Sequence, residues 1–357
     1  INRKYMSKKF DIDSLVRSNI KQLKPYRSAR DDFQDGLLLD ANENSLGAPA
    51  ESLDGLHRYP SPAQRKLRQK LAEYRGVDPK NVFVGAGSDE AIDLLYRIFC
   101  RPAKDRVLTT PPTYGMYRVS ANIHDIAIDE VLLDENFQPP VEKILQKAGP
   151  QTKMLFLCSP NNPTGNTFEH SRIEKIINQL PGIVVIDEAY IDFSDQQSYA
   201  PEVKNHSNLV VLQTMSKSFG LAGIRLGVAI ASPKIIDYLM KVKAPYNINQ
   251  LTSQAALEAM DHTDRIAEHI QSIKKERARL RDILGELPMV QHIYHSEANF
   301  LLVKMNEAKK IHQKLAKKNI IVRYRGDEPG CSHCLRITVG TQEENDALVE
   351  ALKGISL

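Results

Sequence analysis

Cysteine is scarce in this chain. Four residues (Cys100, Cys158, Cys331 and Cys334) among 357 do not suggest a disulfide framework. Long apolar runs are missing as well, which excludes a membrane-spanning helix and a signal-peptide core on the sequence pattern. Charge of one sign is nowhere concentrated: Lys and Arg number 48 against 44 Asp and Glu, a net charge of +4. No basic run has the length of a nucleic-acid tail or a membrane-binding patch. Internal repeats and low-complexity segments are also absent. What remains is an ordinary composition, 42% hydrophobic and 26% charged, in a chain long enough for one large core and a second, smaller domain. The expectation is a cytoplasmic protein that acts on small molecules and contacts neither nucleic acid nor membrane.

Against that background one stretch stands out, Thr214 to Arg225. It places Lys217 between Ser216 and Ser218, ahead of Gly220, Gly223 and Arg225. A lysine carries catalysis when it forms an imine with a carbonyl, and pyridoxal phosphate is the common cofactor that needs such a lysine together with a phosphate cradle. Most lysines are solvated surface charges, so the case depends on what the rest of the chain supplies.

Residues 6–40 are charged and polar, with Lys24-Pro25-Tyr26 breaking a weak helical pattern, and form an arm more than a core element. Leu37-Leu38-Leu39 suggests a short strand, followed by the polar loop Asp40-Ala41-Asn42-Glu43-Asn44, and residues 64–74 have helical periodicity. From Val82 the pattern is α/β. Residues 82–84 form a strand, Gly85-Ala86-Gly87-Ser88 a small-residue turn, and residues 89–100 a helix. The turn suits an anion at a helix N-terminus, or simply a short connection with Ser88 as N-cap. Strands are expected at 106–109, 154–158, 183–186, 209–213 and 226–230, their unbroken apolar character indicating burial on both faces of a largely parallel, helix-covered sheet. Polar motifs follow four of these strands, where open α/β sheets hold ligands: Pro111 to Tyr114, Ser159 to Gly165, Asp187 to Tyr190, and Ser216-Lys217. Beyond Tyr246 come helices at 252–260 and 266–287, strands at 299–303 and 335–339, and helices at 308–318 and 342–353, enough for a small α+β domain. The expected division is an arm with part of the small domain (6–49), a large domain (50–246), and an interdomain helix with the small domain (247–357).

Pyridoxal phosphate makes specific demands. Its ring nitrogen needs a buried carboxylate to stay protonated, and Asp187 ends an apolar strand. Asn162 and Tyr190 are candidate donors to the ring hydroxyl, and Tyr114 offers a flat partner for the ring face. Ser216, Arg225 and the amides at Gly87, Ser88 and Asp89 are candidates for the phosphate. Lys217, once displaced by substrate, is placed to carry the proton between substrate and cofactor carbons. Singly, each residue has a plain alternative: a turn aspartate, a turn asparagine, a core-edge tyrosine. Their joint occurrence at successive strand ends favours the cofactor.

Asn162-Pro163-Thr164-Gly165, Asp187-Glu188-Ala189-Tyr190 and Ser216-Lys217-Ser218-Phe219 with Arg225 resemble the aspartate-aminotransferase-like superfamily, the fold type I pyridoxal-phosphate enzymes. Asp40 to Asn44, Arg58-Tyr59-Pro60, Pro112 to Tyr117, Ala244-Pro245-Tyr246 and Cys334 to Gly340 are similar to the histidinol-phosphate aminotransferases within it. The resemblance runs from about Tyr26 to the C-terminus. It implies a three-layer large domain and a homodimer in which Tyr59 reaches the cofactor phosphate of the partner. It also implies that L-histidinol phosphate and 2-oxoglutarate are converted to imidazole-acetol phosphate and glutamate. Arg336 would grip the glutamate carboxylate, while Arg323 with Tyr26 and Tyr246 would hold the substrate phosphate, and Asn42 joins this substrate set. An aromatic amino-acid aminotransferase or a phosphothreonine decarboxylase would share most of these residues, and a cofactor-binding regulator is the alternative from another class. Cys331-Ser332-His333-Cys334 carries the C-x-x-C spacing but lacks a second ligand pair, so no metal site is expected.

Overall fold

The computed structural model describes residues 10–28, 30, 33 and 36–356. The first residues of the expected arm, 6–9, lie outside these. What is described of the arm lies on the body of the protein. Two short helices, α1 (Ile12–Leu15) and α2 (Ser18–Gln22), bury Ile12 and Ile20, the link between them buries Val16, and the backbone N–H of Arg17 donates to the Ile98 carbonyl at 3.0 Å. Arg30 is buried between Asp40 (2.5 Å) and Glu43 (2.7 Å), and Glu43 also accepts from Arg58 and from the Tyr59 N–H, both at 2.7 Å. The short strand expected at 37–39 does not form. Among the described residues no strand pairs with it, and Leu37 and Leu39 are 88% and 74% exposed.

The α/β region then runs through α3 (Arg65–Arg75), β1 (Val82–Ala86), α4 (Ser88–Phe99), β2 (Arg106–Thr109), α5 (Met116–Ile123), β3 (Ala127–Glu130) and α6 (Val141–Lys147). It continues through β4 (Thr152–Cys158), α7 (His170–Gln179), β5 (Ile183–Asp187), β6 (Leu209–Thr214), β7 (Leu226–Ala231) and α8 (Pro233–Val242). The seven strands form one sheet in the order β1-β7-β6-β5-β4-β2-β3, parallel except for β7, which is antiparallel to both its neighbours. β3 carried no clear apolar run because it is a half-exposed edge strand.

The alternation of side chains along each strand builds two cores from one sheet. Leu155 and Leu157 of β4, Val184 and Ile186 of β5, and Leu209 and Val211 of β6 pack on one face with α3, α6 and α7. Met154 and Phe156, Ile183 and Val185, and Val210 and Leu212 pack on the other with α4, α5, α8 and the arm helices. Each aliphatic side chain so buried stabilises the fold by about 1.5–3 kcal/mol before chain entropy is counted. Three layers result, helix on sheet on helix.

Helix α9 (Gln250–Ala259) still packs on this body through Ala256, and the long α10 (Thr263–Gly285) leads away from it. A second, antiparallel sheet follows, β8 (Val290–Ile293), β9 (Phe300–Met305), β10 (Arg323–Tyr324) and β11 (Cys334–Thr338), ordered β10-β11-β9-β8. Its core is closed by α10, α11 (Ala308–Lys317) and α12 (Gln342–Lys353). Helix α12 starts at a capping box formed by Thr341 and Glu344. Tyr190 and Phe193, in the turn that follows β5, meet Ile266, Ile270, Ala298 and Phe300 in a smaller apolar cluster that joins the two bodies. No helix among the described residues is long and apolar enough to cross a membrane.

Candidate active site

Strands β4, β5 and β6 run side by side, so the loops at their C-terminal ends share one crevice. A half-open cavity lies there. Nine sequence-assigned residues line it: Ser88 and Asp89 at the start of α4, then Tyr114, Asn162, Asp187, Tyr190, Ser216, Lys217 and Arg225. Cys158, Ala189 and Thr214, not assigned from the sequence, complete the wall.

Asp187 ends β5 and is buried. One carboxylate oxygen accepts the Tyr117 hydroxyl at 2.7 Å and the other accepts the Ala189 N–H at 3.1 Å. Burial pushes its carboxyl up to about 6 from an ordinary 3.8, although both hydrogen bonds pull the other way. A cationic ring nitrogen is the partner such a desolvated carboxylate lacks. Tyr117 was not assigned a role from the sequence. It is fully buried, stacked on Phe156 at 4.7 Å between centroids and edge-on to Tyr114 at 5.5 Å.

Lys217 follows β6. Burial, then the nearby Arg336 charge, lowers its ammonium pKa below the ordinary 10.5 against the pull of Asp187. Its Nζ stands 5.6 Å from the centroid of the Tyr190 ring. The Tyr190 hydroxyl lies 3.4 Å from Asn162 Nδ2. Asn162 Oδ1 accepts from Arg336 Nη1 at 2.5 Å and from Arg325 Nη2 at 3.3 Å. Two guanidinium donors on one oxygen fix the amide so that its NH2 group is the one turned toward Tyr190. Arg325 also pairs with Glu328 at 2.7 Å. Its spacing two residues beyond Arg323, the period of a strand, is the sequence signal that marks it as a neighbour of the same site.

The other end of the cavity is a cradle of small residues. Gly87, not Ser88, is the N-cap of α4; it has a positive φ of 76° and makes no side-chain capping bond, so the first amides of the helix remain available. A Cβ on Gly87 would lie 2.8 Å from Arg225 Nη2, and a Cβ on Gly227 would run into the backbone of Gly87 and Ser88. Arg225, itself at φ 53°, holds this corner: its carbonyl accepts the Gly87 N–H at 2.8 Å and its guanidinium approaches Ser216 Oγ and Asp89, each at 3.5 Å. Thr214 Oγ1 bonds Ser216 at 3.0 Å. Helix amides, hydroxyls and one guanidinium around a space kept open by glycines fit a phosphate. With Asp187 and an amine at Lys217, the donor set matches pyridoxal phosphate group by group.

The remaining assignments are not among the residues that line the cavity. Arg336 sits on β11 beside it, its guanidinium 5.3 Å from the centroid of the Phe300 ring, and Arg323 is its cross-strand partner on β10. Tyr59 stacks on Tyr246 at 4.5 Å, and Asn42 lines a separate surface hollow with Tyr59. Tyr26 is 74% exposed, in a third hollow beside Pro245. The thiols of Cys331 and Cys334 are buried, and burial raises them to about 12 and about 11.

A family model described as aminotransferase class I and II matches residues 26–352. A histidinol-phosphate aminotransferase of Christiangramia forsetii is 49% identical over 350 residues, 97% of this chain and 98% of that relative. A protein of the same name from Parabacteroides distasonis is 49% identical over 349 residues, 97% of this chain and 99% of its own length. Among solved structures, the histidinol-phosphate aminotransferase from Clostridium acetobutylicum superposes with a TM-score of 0.77 at 27% identity, covering 84% of this chain and 90% of that one.

Proposed function

The chain belongs to the aminotransferase class I and II family, and from that premise we propose that it transfers the amino group of L-histidinol phosphate to 2-oxoglutarate, within histidine biosynthesis. The products are imidazole-acetol phosphate and glutamate. The observation that carries the chemistry is the cavity in which Asp187, Lys217 and the glycine-lined cradle face one another. The choice of substrate is supported by the names of the relatives at 49% identity.

Pyridoxal 5'-phosphate, when bound, supplies an aldehyde to hold the substrate amine and a ring that withdraws electrons from the carbon losing its proton. Lys217 anchors the aldehyde, and its burial favours the neutral amine that can then take a proton from one carbon and return it to another. Asp187 holds the proton on the ring nitrogen. Asn162 and Tyr190 donate to the ring hydroxyl, and Tyr114 covers the ring face. Gly87, Ser88, Asp89, Ser216 and Arg225 orient the phosphate. Arg336 grips the carboxylate of glutamate, for which a planar guanidinium is suited. Arg323, opposite it, serves the substrate phosphate together with Tyr26 and Tyr246, and Asn42 belongs to the same substrate-binding set.

The same proposal includes a cytoplasmic homodimer in which Tyr59 completes the phosphate site of the partner. Tyr59 and Tyr26 are exposed in the single chain, as are Leu37, Leu39 and Leu46, which is the surface a second copy would cover. The division into an arm with part of the small domain (6–49), a large domain (50–246) and a remainder (247–357) is kept as a proposal; the two sheets have separate cores, and the start of the remainder, through α9, packs on the core of the large one.

The purified protein should transaminate histidinol phosphate with 2-oxoglutarate. Release of carbon dioxide from phosphothreonine without transamination would overturn the substrate, and a preference for aromatic amino acids would reassign it. Borohydride reduction followed by peptide mapping should find the cofactor on Lys217.

A further inference from the structure

Among the described residues Lys217 Nζ has no hydrogen-bond partner; its neighbour is the face of the Tyr190 ring. What that amine can reach therefore depends on where the backbone that carries it is held. Ser218, the next residue, is buried and donates its hydroxyl to Asp192 Oδ2 at 2.5 Å. Asp192 lies two residues beyond Tyr190, in the single 3-10 turn Ile191–Phe193. Arg75, at the C-terminal end of α3, holds the carboxylate with two nitrogens at 2.6 and 3.0 Å. The same helix end also meets the residue after Ser218, the Tyr74 ring packing edge-on against Phe219 at 5.5 Å. Burial works against charge on Asp192, but Arg75 and the Ser218 hydroxyl outweigh it and hold the carboxyl below its ordinary range. An ionised acceptor makes the Ser218 bond a strong one.

We propose that Asp192 and Ser218 are positioning residues: anchored on Arg75, they fix the loop of Lys217 against the loop of Tyr190, so that one amine reaches both the cofactor aldehyde and the substrate carbon from a single backbone position. This rests on the role given to Lys217 above and goes beyond it. Displacement of a catalytic group by about 1 Å is enough to cost on the order of 100-fold in rate.

Ser218→Ala removes the tether and leaves the Arg75–Asp192 pair intact, so the chain should fold; Ser218→Thr restores the hydroxyl. Two quantities are read. The first is kcat against KM for both substrates. The second is the pH midpoint at which an amine-reactive acylating reagent labels Lys217 in the cofactor-free chain, followed by mass spectrometry of its peptide. The charges around that amine are Arg336, Asp187, Arg225 and Asp89. Ser218→Ala should lower kcat about tenfold with KM nearly unchanged. It should also raise the labelling midpoint toward that of an ordinary lysine as the loop loosens into solvent. Ser218→Thr should recover both. An unmoved midpoint overturns the proposal whatever happens to kcat, since a purely structural hydroxyl would change stability alone; an unmoved kcat overturns it too. Borohydride trapping on the unaltered protein separates the premise from the proposal. An adduct elsewhere than Lys217 removes both, whereas an adduct on Lys217 with an unaffected Ser218→Ala overturns the tether only.

Discussion

A lysine that moves protons has to spend part of each cycle uncharged, and the surroundings of Lys217 favour this before any ligand arrives. Burial and the Arg336 charge both disfavour the ammonium. Lys217→Ala should keep the circular dichroism spectrum of the parent and lose at least about 100-fold in transamination rate; retained turnover would show that another group carries the proton. Asp187 titrates near 6 where a free aspartate has 3.8. A carboxyl raised in the fold contributes stability that is complete below about pH 4 and is lost as pH rises through about 6. In the cofactor-free protein, the stability of Asp187→Asn relative to the parent should therefore improve between about pH 4 and pH 7, by a few kcal/mol at most, as measured by urea unfolding. A difference independent of pH would mean that the carboxyl is not desolvated. Lys217 and Asp187 were legible in the sequence because the chemistry demands those groups and they follow strand ends. Tyr117 was not, because its hydroxyl reaches Asp187 across 70 residues of chain from a helix that reads as ordinary core.

Among the elements, the strands with unbroken apolar runs were readable because both faces of the large sheet are covered. β8 is half exposed and β10 has only two residues, so neither carried a pattern; β10 exists because β11 offers it a ladder. Leu37 to Leu39 shows the converse, an apolar run with no strand beside it. Gly227 on β7 carries the tightest demand on an element. Its missing Cβ allows β7 to lie against the Gly87–Ser88 backbone, and the cradle is shaped by that approach. Gly227→Ala should push the start of α4 outward and weaken pyridoxal phosphate binding by at least about tenfold, or 1.4 kcal/mol. Absorbance titration of the cofactor-free protein checks this; unchanged affinity would mean that the cradle does not hold the phosphate.

For the whole molecule, the two sheets and their cores followed from the order of apolar segments, whereas the proposed completion of the active site by a second chain has no counterpart in the pattern of the strands. If Tyr59 of each subunit completes the site of the other, mixing Lys217→Ala with Tyr59→Ala should restore activity that neither has alone. One site of each hybrid dimer would then be intact, giving roughly a quarter of the parent activity for random pairing. No recovery after denaturation and joint refolding would separate Tyr59 from the partner's site. The strand order has a further consequence for how the protein comes into being. β1 pairs with no described strand except β7, so when it leaves the ribosome it has no ladder partner, and it waits while residues 87–225 are synthesised. Because Gly87 meets Arg225, and Gly87 and Ser88 meet Gly227, only once β7 is in place, the proposed phosphate cradle is among the last parts of the large sheet to be assembled. A nascent chain that ends before residues 226–231 would thus have no cradle with which to bind the cofactor.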